Sequence, residues 1–206
     1  KTLNAKLKHG SLPRDVHRRR DGVFALSQAR ELHAVGELEA AHVKAIEANK
    51  LTPGLVSAAI LTSQGYLEKD KPKLAAKTLR AAWSIEPHPE LAAGFAAIIS
   101  NETPIERLDR FLSLTKIAPS HPETKMLIAE LNIAAEQFDQ ARLEMGDLAS
   151  THPTMRSLTI MAAIERGDGG DDQSIREILI KALSAQRDPQ WVCDNCGHIS
   201  HEWEPV

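Results

Sequence analysis

The sequence predicts an all-α superhelix of about five stacked helix pairs, and three observations carry that expectation. Pro53, Pro87, Pro119 and Pro153 recur at nearly even spacing. Small or apolar residues recur at fixed distances ahead of them. Helix-capping signals fall where such a period would start its helices. A self-similar period of roughly 34 residues marks a solenoid of helix pairs, in which each pair buries its apolar face on its neighbour.

The elements follow in order. Twelve positions before each proline stand Ala41, Ala75, Arg107 and Ala141; five before stand Ala48, Ala82, Leu114 and Leu148. Alanine lets two helix backbones approach closely, and proline stops the second helix of a pair. Gly36 lies five positions before Ala41, where the turn between two helices belongs. This is the tetratricopeptide pattern. The third repeat departs from it, with Arg107 at the small position. Its helix start is nonetheless explicit, since Thr103-Pro104-Ile105-Glu106 sets a cap, an N1 proline and an N3 glutamate in sequence. Ser120 with Glu123, and Ser174 with Glu177, predict further capping boxes. A fifth, looser unit runs from Pro153 to Pro189, with the glycine- and aspartate-rich stretch 167–172 as its joint. No segment before the C-terminus alternates at period two with β-branched enrichment, so strands are not expected there. Trp83 is read as inter-repeat core.

Charge divides the chain unevenly. Of 25 Lys/Arg and 28 Asp/Glu, seven and one fall within positions 1–20, leaving 18 and 27 for the remainder. The basic start, Lys6, Lys8, Arg14, Arg18, Arg19 and Arg20 among it, suits a solvated helix face, a nucleic acid or an anionic membrane leaflet. No apolar run long enough to span a membrane and no signal peptide is present. The expected organisation is a basic leader or first helix over 1–20, a repeat array over 21–189 and a tail over 190–206.

The tail holds both cysteines, Cys193-Asp194-Asn195-Cys196, followed by Gly197. A CxxC knuckle closed by glycine turns two thiolates toward one metal, and zinc sites commonly use two knuckles. Only one is present, so the tail reads as an incomplete zinc-ribbon or rubredoxin-like half-site: no cofactor is expected in this chain, and zinc or iron is the metal for a completed knuckle. His198 and His201 would complete four ligands, but at two and five positions past Cys196 the spacing is cramped. A redox dithiol would want a βαβ context that is missing.

His88, His121 and His152 each precede a proline, once per repeat. Turn chemistry is the expectation for all three, since equivalent inter-repeat turns are separated along an array. Asp168, Asp171 and Asp172 miss the calcium-loop spacing. No local motif supports a catalytic constellation, so a non-enzymatic binding protein is expected. First helices line the binding face of such arrays. The period places Arg30 and His33 on that face from the first repeat, Gln64 and Glu68 from the second, and Glu130 from the fourth. Together they predict a mixed, mildly acidic concave groove for a peptide or protein segment.

Several segments carry a resemblance to a known family: Leu12-Pro13 with Arg18-Arg19-Arg20, Pro87-His88-Pro89-Glu90-Leu91-Ala92, Gln140-Ala141-Arg142, and Asp188-Pro189-Gln190-Trp191-Val192-Cys193 through Trp203-Glu204-Pro205-Val206. The chain resembles the C-terminal tetratricopeptide region of HemY-like proteins of Gram-negative bacteria, especially the alphaproteobacterial form. That resemblance implies a parent anchored in the inner membrane by upstream helices, with the repeats at the cytoplasmic face, this fragment itself soluble, and haem-pathway enzymes as partners. A chain starting at Lys1 without methionine, and stopping before a second CxxC, looks cut from such a parent. The flavin-dependent protoporphyrinogen oxidase that has carried the same name is not implied, because no GxGxxG fingerprint is present. The tail also resembles that of an inner-membrane family that joins tetratricopeptide repeats to a rubredoxin-like knuckle and regulates lipopolysaccharide assembly. A haem or porphyrin carrier is the third reading, from the family link and nine histidines.

Overall fold

The computed structural model describes residues 13–187, 190–192 and 196–200. The chain divides into two compact units that part between Ile98 and Ile99, inside the span 21–189 expected to form one array.

The first unit contains α1 (Arg14–Ala34), α2 (Leu38–Leu51), α3 (Val56–Glu68), α4 (Pro72–Trp83) and α5 (Pro89–Ala96). Each helix packs on the next, and α3 also packs on α5 two helices on. That is the pattern of stacked helix pairs, in which first helices touch the first helices of neighbouring pairs. Helix α1 crosses the boundary expected after residue 20. The core is built largely of alanine, including the repeat positions Ala41, Ala48, Ala75 and Ala82, with Leu26, Leu79, Leu91 and Phe95 between them. Trp83 is fully buried among them, as core.

The second unit contains α6 (Pro104–Thr115), α7 (Pro122–Ala134), α8 (Phe138–Met145), α9 (Leu148–Thr151), α10 (Met155–Gly167) and α11 (Asp172–Ser184). Here α10 packs on both α7 and α8, repeating the first unit's pattern. Met126, Ala129, Ala141, Met145, Leu148, Ile160 and Ile164 form its central cluster. The helix expected to run unbroken to Pro153 is interrupted at Gly146, whose φ of 50° and ψ of −126° need a residue without Cβ. A short antiparallel hairpin, β1 (Trp191–Val192) with β2 (Ile199–Ser200), pairs Trp191 with Ser200 and Val192 with Ile199.

The turns within helix pairs share one geometry. Gly36, Asp70, Glu136 and Gly169 all have positive φ, at 83°, 52°, 58° and 76°. After each, the next amide donates back across the turn: Glu37 to the Leu32 carbonyl, Lys71 to Tyr66, Gln137 to Asn132 and Gly170 to Glu165, at 2.8–2.9 Å. This is the Schellman closure, which satisfies carbonyls left open at a helix end. The third repeat has no such turn. Its second helix instead starts at Thr103 with the expected capping box, in which the Glu106 amide donates to Thr103 Oγ1 at 3.3 Å and the Thr103 amide to Glu106 Oε2 at 2.8 Å. Arg107, the residue out of pattern, stands 3.5 Å from Glu102.

Two other predicted capping boxes are corrected. At α7 the cap is His121, not Ser120: its Nδ1 accepts the Glu123 amide at 3.1 Å. At α11 the cap is Asp171, whose Oδ1 accepts the Gln173 and Ser174 amides, each at 3.0 Å. Ser174 donates its hydroxyl to the same carboxylate at 2.6 Å, so it is a partner of the cap rather than the cap itself. In both cases an acceptor nearer the helix start wins.

Candidate functional site

In the first unit the face expected to bind lies on α1 and α3. Arg30 is half-buried on α1, with exposed His33 one turn further on. Gln64 and Glu68 are exposed one turn apart on α3. The structure brings the two helices' polar residues together at one point, where His33 Nε2 lies 4.0 Å from Glu68 Oε1. Both side chains are well exposed there, at 46% and 40%, so the pair is loose and open to exchange for another partner. Behind Glu68, Lys69 is committed elsewhere: its ammonium donates to Glu39 at 2.6 Å, a charge-assisted bond that holds the Glu39 carboxyl below its ordinary range.

Beneath this face sits a residue that sequence reasoning passed over. His42 of α2 is buried, with its ring edge-on to Tyr66 of α3 at 4.8 Å between centroids. Gly65 makes room for it, since a Cβ there would fall inside the envelope of the imidazole. Burial holds the His42 pKa below its ordinary value, with the Lys69 charge adding to the effect. The available signal was the spacing that sets a glycine against a bulky polar residue between neighbouring helix pairs, and that spacing is not readable without knowing the packing.

In the second unit Glu130 does not stand alone. Arg156 of α10 donates to Glu130 through Nε at 2.8 Å and Nη2 at 2.7 Å, and to Glu123 through Nη1 at 2.8 and 2.7 Å. The Glu123 side chain is only 8% exposed and the Arg156 side chain 19%. Burial works against the arginine's charge, but the bonds to Glu130 and Glu123 outweigh it and hold its pKa above the ordinary value. The clamp ties first helix to first helix. Its trace in the sequence is faint: two glutamates one heptad apart on α7, and an arginine one repeat length beyond the first of them. A second arginine, Arg142, ties α8 to the end of α10 through Glu165 at 2.6 Å and Asp168 at 3.1 Å.

The His-Pro histidines belong to helix ends. His88 caps α5 as His121 caps α7, its Nδ1 accepting the Glu90 amide at 3.2 Å. His152 closes α9, and Thr154 rather than a histidine caps α10 through a reciprocal box with Ser157. Asp168 is taken by Arg142 and Asp171 by its own helix start.

Of the CxxC pair, Cys193 lies outside the described residues and Cys196 is exposed. The strands β1 and β2 bracket the knuckle, and Gly197 has a φ of 71°, a conformation that suits glycine after the second cysteine. His201 also lies outside the described residues, and His198 is exposed. Among the described residues no three metal-ligating side chains converge.

No protein-family model matches the chain, and no curated protein matches it in sequence. Among solved structures it is similar to MamA, with a TM-score of 0.45 at 12% identity over 80% of this chain and 91% of that one. It is also similar to YrrB, described as a TPR protein with an unusual peptide-binding site, with a TM-score of 0.44 at 15% identity over 89% and 92%. A tetratricopeptide repeat protein from Parabacteroides merdae gives 0.37 at 13% identity over 88% and 75%. At these TM-scores the likeness carries no weight, and the description as stacked helix pairs stands on the chain's own periodicity and helix contacts.

Proposed function

We propose that the chain is a non-catalytic interaction scaffold that takes a peptide or protein segment along the first helices of its pairs. The single observation behind this is the α1–α3 face of the first unit. There His33, Gln64 and Glu68 are exposed beside half-buried Arg30, and the His33–Glu68 pair that crosses between the helices is long and open to solvent. A face built this way offers donors and acceptors of both signs, which suits main-chain and mixed side-chain groups of an extended segment. The resemblance to HemY-like proteins makes a haem-pathway enzyme at the inner membrane the first partner to try. Lipopolysaccharide-assembly factors are the alternative, from the tail. The test is a crosslinking pull-down with the chain as bait, repeated with Arg30→Glu, Gln64→Lys and Glu68→Lys together. The partner should be lost from the triple variant while helicity is unchanged. Undiminished capture would place the binding face elsewhere.

Cys193 and Cys196 would serve that scaffold as half of a zinc or iron knuckle. Metal stoichiometry in a chain extended by a second CxxC, against the same chain with Cys196→Ser, tests this; equal metal in both removes the knuckle from the proposal.

A further inference from the structure

Helix α1 starts with a crowd of like charges. Arg14, Arg18, Arg19 and Arg20 lie in its first two turns, and in the first of these the N-terminal end of the macrodipole disfavours the cation of Arg14. Its N-cap, Pro13, makes no side-chain cap bond. All four arginines are exposed. Arg18 bonds within the chain, donating through Nη2 to the Lys50 carbonyl at 2.9 Å, which sets the exposed Lys50 beside the cluster. Among the described residues the acids nearby do little to offset it: Asp15 is exposed in the same turn, Asp21 pairs with His17 at 2.9 Å, and Glu47 pairs with Lys44 at 2.9 Å. One turn beyond Arg20, Phe24 is 59% exposed.

Like charges crowded this closely on an exposed surface suit an external counter-charge. We propose that the start of α1, with Arg14, Arg18, Arg19, Arg20, Lys50 and Phe24, docks on an anionic phospholipid bilayer. The arginines would meet headgroup phosphates, as polybasic surfaces do at anionic leaflets, and Phe24 would enter the interfacial layer. The observations favour a bilayer over a nucleic acid. Phe24 is exposed where a bilayer interface would take it, and a single exposed ring is not the series of stacking platforms used on single strands. Residues 21–206 carry more acid than base, so the chain would meet an anionic surface by this end.

The test is flotation of the chain with vesicles of phosphatidylcholine alone or mixed with phosphatidylglycerol. Binding should need the anionic lipid and weaken as salt is raised. Arg14→Gln, Arg19→Gln and Arg20→Gln together should lower partitioning roughly a hundredfold, at about fivefold per cation. These side chains are exposed, so helicity should be unchanged, and Phe24→Ser should weaken what binding survives in salt. Equal binding to neutral vesicles, or a triple variant that floats like the parent, would overturn the proposal. Tighter arginine-dependent binding to single-stranded RNA or duplex DNA than to the vesicles would replace the bilayer with a nucleic acid.

Discussion

Replacing Arg156 by methionine should destabilise the second unit more than any single change at its surface. The substitution keeps most of the aliphatic stem and removes five donors. Glu130, 40% exposed, can turn to water, so its share is about 0–1 kcal/mol. Glu123 cannot, because its side chain is 8% exposed at the start of α7. Removing one partner of a buried charge costs about 3–5 kcal/mol, and the partial exposure of Arg156 puts the expected loss near the lower end, about 3 kcal/mol. Urea unfolding with hydrogen exchange read separately over α7 and α10 would measure it. Adding Glu123→Gln should recover much of the loss, because the buried charge is then gone; the coupling in that double-mutant cycle should exceed about 1 kcal/mol. An Arg156→Met cost below about 1 kcal/mol, or a coupling near zero, would refute the view that this clamp holds first helix to first helix.

Three further outcomes follow from single residues. His121→Ala should lower the stability of the second unit by about 1 kcal/mol, and His121→Ser should restore most of it, as for any helix cap; equal loss in both would deny the capping role. Glu136 is exposed with a φ of 58°, so Glu136→Gly should stabilise the second unit by roughly 0.5–1 kcal/mol, visible as a higher urea midpoint. The His42 pKa is lowered by burial from an ordinary value of 6.5, so the unfolded chain takes up a proton before the folded one does. Stability of the first unit from this group is therefore intact above pH 6.5 and declines as pH falls through that value toward the lower folded pKa. Urea midpoints across that range should fall less steeply in His42→Phe, and an unchanged slope would remove His42 as the source.

The architecture was legible because helix pairing leaves a periodic trace. Ala41, Ala75 and Ala141 are buried where the proline count put them. Gly36 announced its turn, but Asp70 and Glu136 make the same turn without glycine. Their positive φ is set by the Schellman bonds around them rather than by their own preference, and sequence shows only the preference. Ser120 and Ser174 fit the capping pattern and lost to His121 and Asp171, because a cap is decided by which acceptor reaches the open amides. Of the candidate site, the positions on α1 and α3 could be projected from the period. The engagement of Glu130 by Arg156 could not, since it joins two distant positions through packing alone.

The most direct test of the scaffold proposal places a photo-crosslinking side chain at Gln64, on the first-helix face, and in a second protein at Val43, which is 60% exposed on a second helix. With a candidate partner present, adducts should form from position 64 and be suppressed by Glu68→Lys. Adducts from position 43 with none from 64 would contradict the first-helix site.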